Sequence, residues 1–236
     1  MDYFRNIVLV AAIAGVLAGL GMTVAQQLTT VPLILKAEIY EGEGAATPAH
    51  DHGDAAAPSA VHEHGDEGWQ PADGFERTAF TLLANIVTGV GFALLLIAAS
   101  ELAGGIAGWR QGVFWGLAGF AVFTLAPGLG LPPELPAMPA AELGARQLWW
   151  VATVLSAAGA LALIFYGRSP LAIVAAVALL VAPHLIGAPE QVSYDTPIPE
   201  GLHHSFVVAV VLTALLFWVL LGALAGLFRE RFIHAS

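Results

Sequence analysis

A chain of 236 residues that is 58% hydrophobic and only 11% charged, with mean hydropathy +0.77, carries less than half the charge of an ordinary soluble domain. The absence of cysteine excludes disulfides and thiolate metal sites. A single lysine, Lys36, and no G-x-x-x-x-G-K-[ST] exclude ATP hydrolysis through a P-loop. The net charge of −10 is local, because ten of the 18 acidic residues fall between Lys36 and Arg77; it argues against nucleic acid as a partner and for a cation.

A bilayer core of roughly 30 Å takes about 20 apolar helical residues. On that measure spans fall at 7–28, 77–99, 111–128, 147–166, 170–187 and 205–228. The expected fold is an all-α integral membrane protein with about six transmembrane helices and a His-rich acidic outer loop. It divides into a first helix (1–35), a flexible His/Asp/Glu-rich loop (36–76) and a five-helix bundle with short loops (77–236). Thr23-Val24-Ala25 loosely resembles a signal-peptide cleavage site, and cleavage there would leave five spans. Gly167-Arg168-Ser169 before Pro170 makes spans four and five a tight hairpin.

Arginine sets the orientation. With the N-terminus inside, Arg5, Arg110, Arg168, Arg229 and Arg231 are cytoplasmic, and only Lys36, Arg77 and Arg146 face out. Both termini are therefore expected in the cytoplasm, with the chain in a bacterial inner membrane and lipid as its first partner. The outer ends of spans three and five look related, as Ala126-Pro127-Gly128-Leu129 before Pro133-Glu134, and Ala182-Pro183-His184-Leu185 before Pro189-Glu190. Proline stops or breaks a helix there, and transporters with internal repeats place broken helices at their sites. Gly15/Gly19, Gly112/Gly116 and Gly222/Gly226 are G-x-x-x-G pairs suited to close packing inside the bundle. Trp69, Trp109, Trp149 and Trp150 fall where indoles anchor at membrane interfaces.

The loop contains a short duplication. Ala49-His50-Asp51-His52-Gly53-Asp54 is echoed by Val61-His62-Glu63-His64-Gly65-Asp66, each copy reading H-[DE]-H-G-D. Imidazole suits zinc, copper, nickel and cobalt, and carboxylates complete a shell, so His50, His52, His62 and His64 form a candidate transition-metal capture site. The competing reading is a solvated acidic loop or a pH sensor. Copper would bind such a loop more tightly than cobalt, so the loop alone does not select cobalt.

Polar groups are costly in lipid and are candidates for function by default. His184 lies near the outer end of span five, Gln26 and Gln27 near that of span one, and Asn85 inside span two. His203 and His204 stand just before span six as candidate accessory metal ligands, and Glu101 closes span two at its inner end. Serine and threonine can bond back to their own helix, so Thr81, Thr88, Thr124, Thr153, Ser156 and Thr213 read first as structural. Neither H-E-x-x-H nor G-x-S-x-G occurs, so the chain is not expected to be an enzyme or to hold a permanent cofactor.

Several blocks occur in order: Gln26-Gln27-Leu28-Thr29-Thr30-Val31-Pro32-Leu33-Ile34, then Trp69-Gln70-Pro71-Ala72-Asp73-Gly74-Phe75-Glu76-Arg77-Thr78, then Leu83-Ala84-Asn85. They continue as Pro127-Gly128-Leu129-Gly130-Leu131-Pro132-Pro133-Glu134-Leu135-Pro136 and Leu143-Gly144-Ala145-Arg146-Gln147-Leu148-Trp149-Trp150. The last is Pro183-His184-Leu185-Ile186-Gly187-Ala188-Pro189. Through these blocks nearly the whole chain resembles the CbtA family of proposed cobalt transporter subunits.

That resemblance implies cobalt supply for cobalamin synthesis and a small single-span partner, CbtB, with its own histidine motif. It also implies a five-span description, against the six counted here. Under it, the four loop histidines collect Co²⁺ outside, His184 receives it, and Gln26, Gln27 and Asn85 line the path. The alternative is a membrane metal sensor or scaffold that binds metal without conducting it.

Overall fold

The computed structural model describes residues 1–44, 71–191 and 193–233. The described residues form helices and no strand: α1 (Asp2–Leu28), α2 (Val31–Gly44), α3 (Phe75–Leu102), α4 (Trp109–Phe120), a π turn (Ala121–Leu125), α5 (Ala126–Gly128), α6 (Leu143–Tyr166), α7 (Pro170–Ile186) and α8 (Glu200–Ile233). Four of them are long and apolar enough to cross a bilayer: α1, α3, α6 and α8, with α7 a shorter apolar helix. The expected span at 111–128 is divided among α4, the π turn and α5, which follow one another without a break.

Three antiparallel contacts build the centre, α1 on α3, α1 on α8, and α4 on α8. The G-x-x-x-G pairs make the first and the last of these. A Cβ at Gly19 would lie 2.7 Å from the Asn85 carbonyl oxygen, and one at Gly15 would meet the backbone of Gly89 and Val90. Across α4 and α8, a Cβ at Gly112 would meet the Gly222 carbonyl oxygen, and one at Gly222 would lie 2.8 Å from the Gly116 nitrogen. Lipid offers no hydrophobic drive for helix association, so such close backbone packing carries much of the cohesion. Val10, Ala14, Ala93, Ile97, Leu221 and Ala225 fill the space between α1, α3 and α8 with apolar side chains. Phe92, Phe123 and Trp218 continue it, with the rings of Phe123 and Trp218 stacked at 5.5 Å.

Proline shapes the rest. α1 stops at the Thr29-Thr30 turn, where the Thr29 hydroxyl donates to the Ala25 carbonyl at 2.7 Å. Pro32 then falls in the first turn of α2, where no intrahelical donor is needed. Leu33, Ile34, Ala37 and Tyr40 recur at helical spacing along α2 and pack on Leu135, Ile198 and Phe206. Residues 36–44, expected to be loop, are therefore helical, and so are Phe75 and Glu76 at the start of α3; 71–74 are irregular or turn, and 45–70 lie outside the described residues. The π turn directly precedes Pro127, whose ring would otherwise crowd the carbonyl of Phe123, and a widened turn relieves that crowding.

Pro183 inside α7 leaves the Leu179 carbonyl without its helical donor. Ser156 of α6 supplies one at 2.7 Å, and Trp149 Nε1 donates to the Pro183 carbonyl at 3.3 Å. Trp149, expected to be an interface anchor, is instead buried, because Gly130 leaves room for its ring and Pro183 provides its acceptor. The α6–α7 hairpin joins the bundle through Val122 of the π turn against Val154 and Ala157. Glu142 caps α6 by accepting from the backbone of Gly144 and Ala145 at 2.8 and 2.6 Å, and those donors hold its carboxyl below the ordinary range.

Candidate functional site

The antiparallel helices give the bundle two ends. One, the end of the termini, carries the first residues of α1, the end of α3, the start of α4 and the last turns of α8; the other carries α2, the segment 129–142, residues 187–191 and 193–199 and the start of α8. Three of the polar residues singled out in the sequence meet at the second, loop end. The Thr23 hydroxyl donates to the Gly19 carbonyl at 2.9 Å, which leaves its lone pairs for Asn85 Nδ2 at 3.0 Å. The same Asn85 nitrogen donates to Gln26 Oε1 at 2.6 Å, and Gln27 Nε2 donates to the Thr78 hydroxyl at 3.2 Å. These bonds cross the glycine-packed α1–α3 contact, so the close approach of the backbones brings the amides within reach.

Gln26 also faces a cavity of about 130 Å³ between α1, α2 and α8. Gln26, Thr30 and Thr213 supply its polar wall, with Met22, Ile34 and Phe206 on the apolar side. None of its lining side chains is charged. The volume is ample for several waters, each needing about 10–15 Å³ by this measure. Thr213 shares a hydrogen bond with Thr29 at 3.1 Å, and Thr30 donates to the Gln26 carbonyl at 3.4 Å. Because Asn85 takes Gln26 Oε1, the side-chain group of Gln26 left for the cavity is its NH₂. The oxygen has a second lone pair, but its first is held toward Asn85 and turned away from full use by a cation.

The histidines are placed separately. His184 is half-buried at the end of α7, its ring edge-on to Trp149 at 5.8 Å, just after the proline held by Ser156 and Trp149. His203 Nε2 lies 3.1 Å from the Pro133 carbonyl oxygen, so that nitrogen donates and ties α8 to the segment before α6. His204 is exposed. Among the described residues no three His, Asp or Glu side chains gather as a metal site. His50, His52, His62 and His64 lie outside the described residues.

Acids at the loop end work as ties. Glu38 forks onto Arg77 at 2.7 and 3.3 Å, joining α2 to α3. Glu134 pairs with Arg146 at 3.0 Å and accepts from Gln191 at 3.0 Å. Thr81 and Thr153 bond back to their own helices, as expected, whereas Ser156 crosses to α7.

The end that carries the termini holds a cluster whose pairing the sequence did not disclose. Arg229, only 7% exposed, donates from Nε to Glu101 Oε1 at 2.6 Å, from Nη2 to Glu101 Oε2 at 3.1 Å, and from Nη1 to the Ile106 carbonyl at 2.7 Å. The Tyr3 hydroxyl donates to Glu101 Oε2 at 2.6 Å. Gly105, with φ +82°, has no side chain to occupy the space the guanidinium fills. Glu101 stood out in the sequence as an acid at a span end, but Arg229 counted only toward orientation. Their separation of 128 residues carries no local signal.

The arrangement offers a neutral cluster of amides and hydroxyls beside two ion pairs at one end, the Arg229–Glu101 cluster at the other, and apolar packing between. No curated protein and no solved structure matches the chain. A family model described as "Probable cobalt transporter subunit (CbtA)" matches residues 4–230. The match spans all the described helices, from the first turn of α1 to the arginine cluster at the end of α8, and the chain belongs to the CbtA family.

Proposed function

We propose that this chain is the membrane subunit of a system that carries a divalent transition metal, Co²⁺ by family, inward across a bacterial cytoplasmic membrane. The chain crosses six times, with the run from Trp109 to Gly128 and the shorter α7 serving as spans beside the four long ones. Both termini are cytoplasmic, and the loop end faces out. His50, His52, His62 and His64 capture the ion, His184 receives it, and Gln26, Gln27 and Asn85 line its entry. His203 and His204 are accessory ligands, with His203 first having to release Pro133. A small single-span CbtB-like subunit completes the system.

The observation that carries this reading is the Thr23–Asn85–Gln26 network beside the uncharged cavity. Amides and hydroxyls suit an ion that keeps part of its water, since they replace hydration bonds without holding the ion as a carboxylate would. Membrane potential suffices as the driving force. One charge crossing 100 mV is worth about 2.3 kcal/mol, so a dication gains about 4.6 kcal/mol. That supports roughly 10³-fold accumulation.

The apolar packing of Val10, Ala14, Ile97 and Leu221 between the two ends favours a second reading, a sensor or scaffold that binds metal without conducting it. Radiolabelled cobalt uptake in cells lacking other cobalt importers separates the two. The comparison takes the intact chain, the quadruple alanine variant at the four loop histidines, the single variant His50→Ala and His184→Ala, each with and without the small partner. Uptake that needs the partner, falls in the quadruple variant and falls further with His184→Ala than with one loop histidine removed supports the transporter. Absence of uptake in every combination, despite correct insertion, refutes conduction and leaves the scaffold.

A further inference from the structure

The cluster at the end carrying the termini has the form of a cation site already filled by a tethered cation. The guanidinium of Arg229 is ringed by three oxygens from two different segments: both carboxylate oxygens of Glu101 and the carbonyl of Ile106, at 2.6, 3.1 and 2.7 Å. Tyr3 contributes its hydroxyl to the same carboxylate at 2.6 Å. Carboxylate and backbone carbonyl oxygens are ligands that divalent cations accept. Gly105 keeps the chain close enough for the Ile106 carbonyl to face inward.

We propose that Glu101, with the Ile106 carbonyl, is a divalent-cation site at the end carrying the termini, and that Arg229 is its resident counter-ion, so that metal and guanidinium compete for one carboxylate. The proposal rests on the reading that a dication crosses this bundle, and places its last stop before release. With Arg229 in place the pair is neutral. A dication on Glu101 with Arg229 still beside it would leave two net positive charges in a partly buried pocket, so the guanidinium must leave. It lies in the last turns of α8, one residue before the exposed Glu230, and the departing guanidinium moves from Glu101 toward solvent at that end. The side chain of Glu101 is 23% exposed, so an ion reaches it from that end even while the bundle remains closed. Arg229 thereby seals the path until metal replaces it, and returns to expel the metal.

A site occupied by its own arginine binds metal with an affinity lowered by the fraction of time the arginine is away. Removing the arginine must therefore strengthen binding, whereas a purely structural ion pair gives no such gain. The test is equilibrium binding of Co²⁺ to the purified full-length chain carrying His50→Ala, His52→Ala, His62→Ala and His64→Ala, which silences the loop. Adding Arg229→Gln should create one site at least about tenfold tighter than any in the parent, and adding Glu101→Gln to that variant should abolish it. Arg229→Lys, which keeps the charge but loses the fork, should give an intermediate gain and covers the case in which Arg229→Gln does not fold. A folded Arg229→Gln or Arg229→Lys chain that binds Co²⁺ no better than the parent overturns the proposal. Because the readout is binding and not uptake, failure of transport in cells leaves this result separately legible.

Discussion

Both ends of the bundle carry ion pairs, Glu38–Arg77 and Glu134–Arg146 at one and Glu101–Arg229 at the other, but they tie α1 to α3 differently. At the loop end the ties between α1 and α3 are neutral hydrogen bonds, Asn85 to Thr23 and Gln26, and Gln27 to Thr78. Between α6 and α7 they are serine and tryptophan donors to carbonyls around a proline. At the other end one charge-assisted cluster joins the starts or ends of α1, α3 and α8. Interhelical hydrogen bonds in membranes are worth about 0.6 kcal/mol each, because a separated helix finds other partners. Charge-assisted bonds are roughly twice as strong as neutral ones. The amides and hydroxyls between α1 and α3 can therefore rearrange at little cost while the Glu38–Arg77 and Glu134–Arg146 pairs beside them hold, whereas at the opposite end movement of α8 against α3 means parting Arg229 from Glu101.

The contrast breaks first if the glycine contacts behind the sealed end are filled. Gly112→Val puts side-chain carbons onto the Gly222 carbonyl, with the Gly226 Cα only 3.2 Å from the new Cβ. Backbone lies on the far side, so neither helix can yield by a rotamer change. Overpacking costs about 1–3 kcal/mol where neighbours relax, and here the upper end or beyond is expected. Thermal unfolding of the detergent-solubilised chain, followed by size exclusion, should show loss of the monodisperse species. Retention of the parent's stability would mean that α4 and α8 do not pack through their glycines.

Ser156→Ala is the next largest. It leaves the Leu179 carbonyl, already deprived of its helical donor by Pro183, with no partner from α6. An unsatisfied buried acceptor costs about 1–3 kcal/mol. A lower melting temperature is expected, together with altered quenching of Trp149, whose ring packs beside the same break. Ser156→Thr keeps the hydroxyl and should recover most of the loss; equal destabilisation by both would place the cost in packing.

The sequence displayed what depends on local pattern and hid what depends on distance. The helix of span one, expected at 7–28, runs Asp2–Leu28, because polar residues beyond the lipid stay helical when they pack or pair at the bundle end. The three glycine pairs were legible because backbone consequences follow from the residue itself, whereas Pro127 and Pro183, expected to stop or break their helices, lie inside helices that run on to Gly128 and Ile186. α2 was not, since a 14-residue helix falls below a bilayer-length measure and its acids read as loop. Its apolar stripe, Leu33, Ile34, Ala37 and Tyr40, was the available signal. Trp149 and Ser156 were given their commonest roles, interface anchor and self-bonded hydroxyl, and tertiary packing assigned them others. Of the candidate site, Gln26 and Asn85 were visible as polar residues in apolar spans, but their joining through Thr23 depends on how α1 and α3 pack. Thr30 as a cavity wall and Arg229 as the partner of Glu101 had no local signature at all.

Asn85→Leu is the smallest perturbation of stability and the sharpest of the loop end. It removes two donated hydrogen bonds, to Thr23 and Gln26, for an expected loss of about 1 kcal/mol, near twice the value of one membrane bond. Thr23 retains its bond to Gly19, so it is left satisfied. Gln26 does not, and its freed carbonyl can turn to the cavity beside Thr30 and Thr213. Two consequences therefore point in opposite directions: a slightly less stable bundle, and a mouth richer in oxygen donors. Melting temperature should fall by a few degrees while the affinity for Co²⁺ entry, read as the half-saturating concentration for uptake, tightens. Gln26→Leu removes the same interhelical bond without supplying the oxygen, and should lower stability comparably while weakening entry. If the two variants change uptake alike, the amide of Gln26 is a tie between helices and not a donor to the ion, and the loop end differs from the sealed end only in strength.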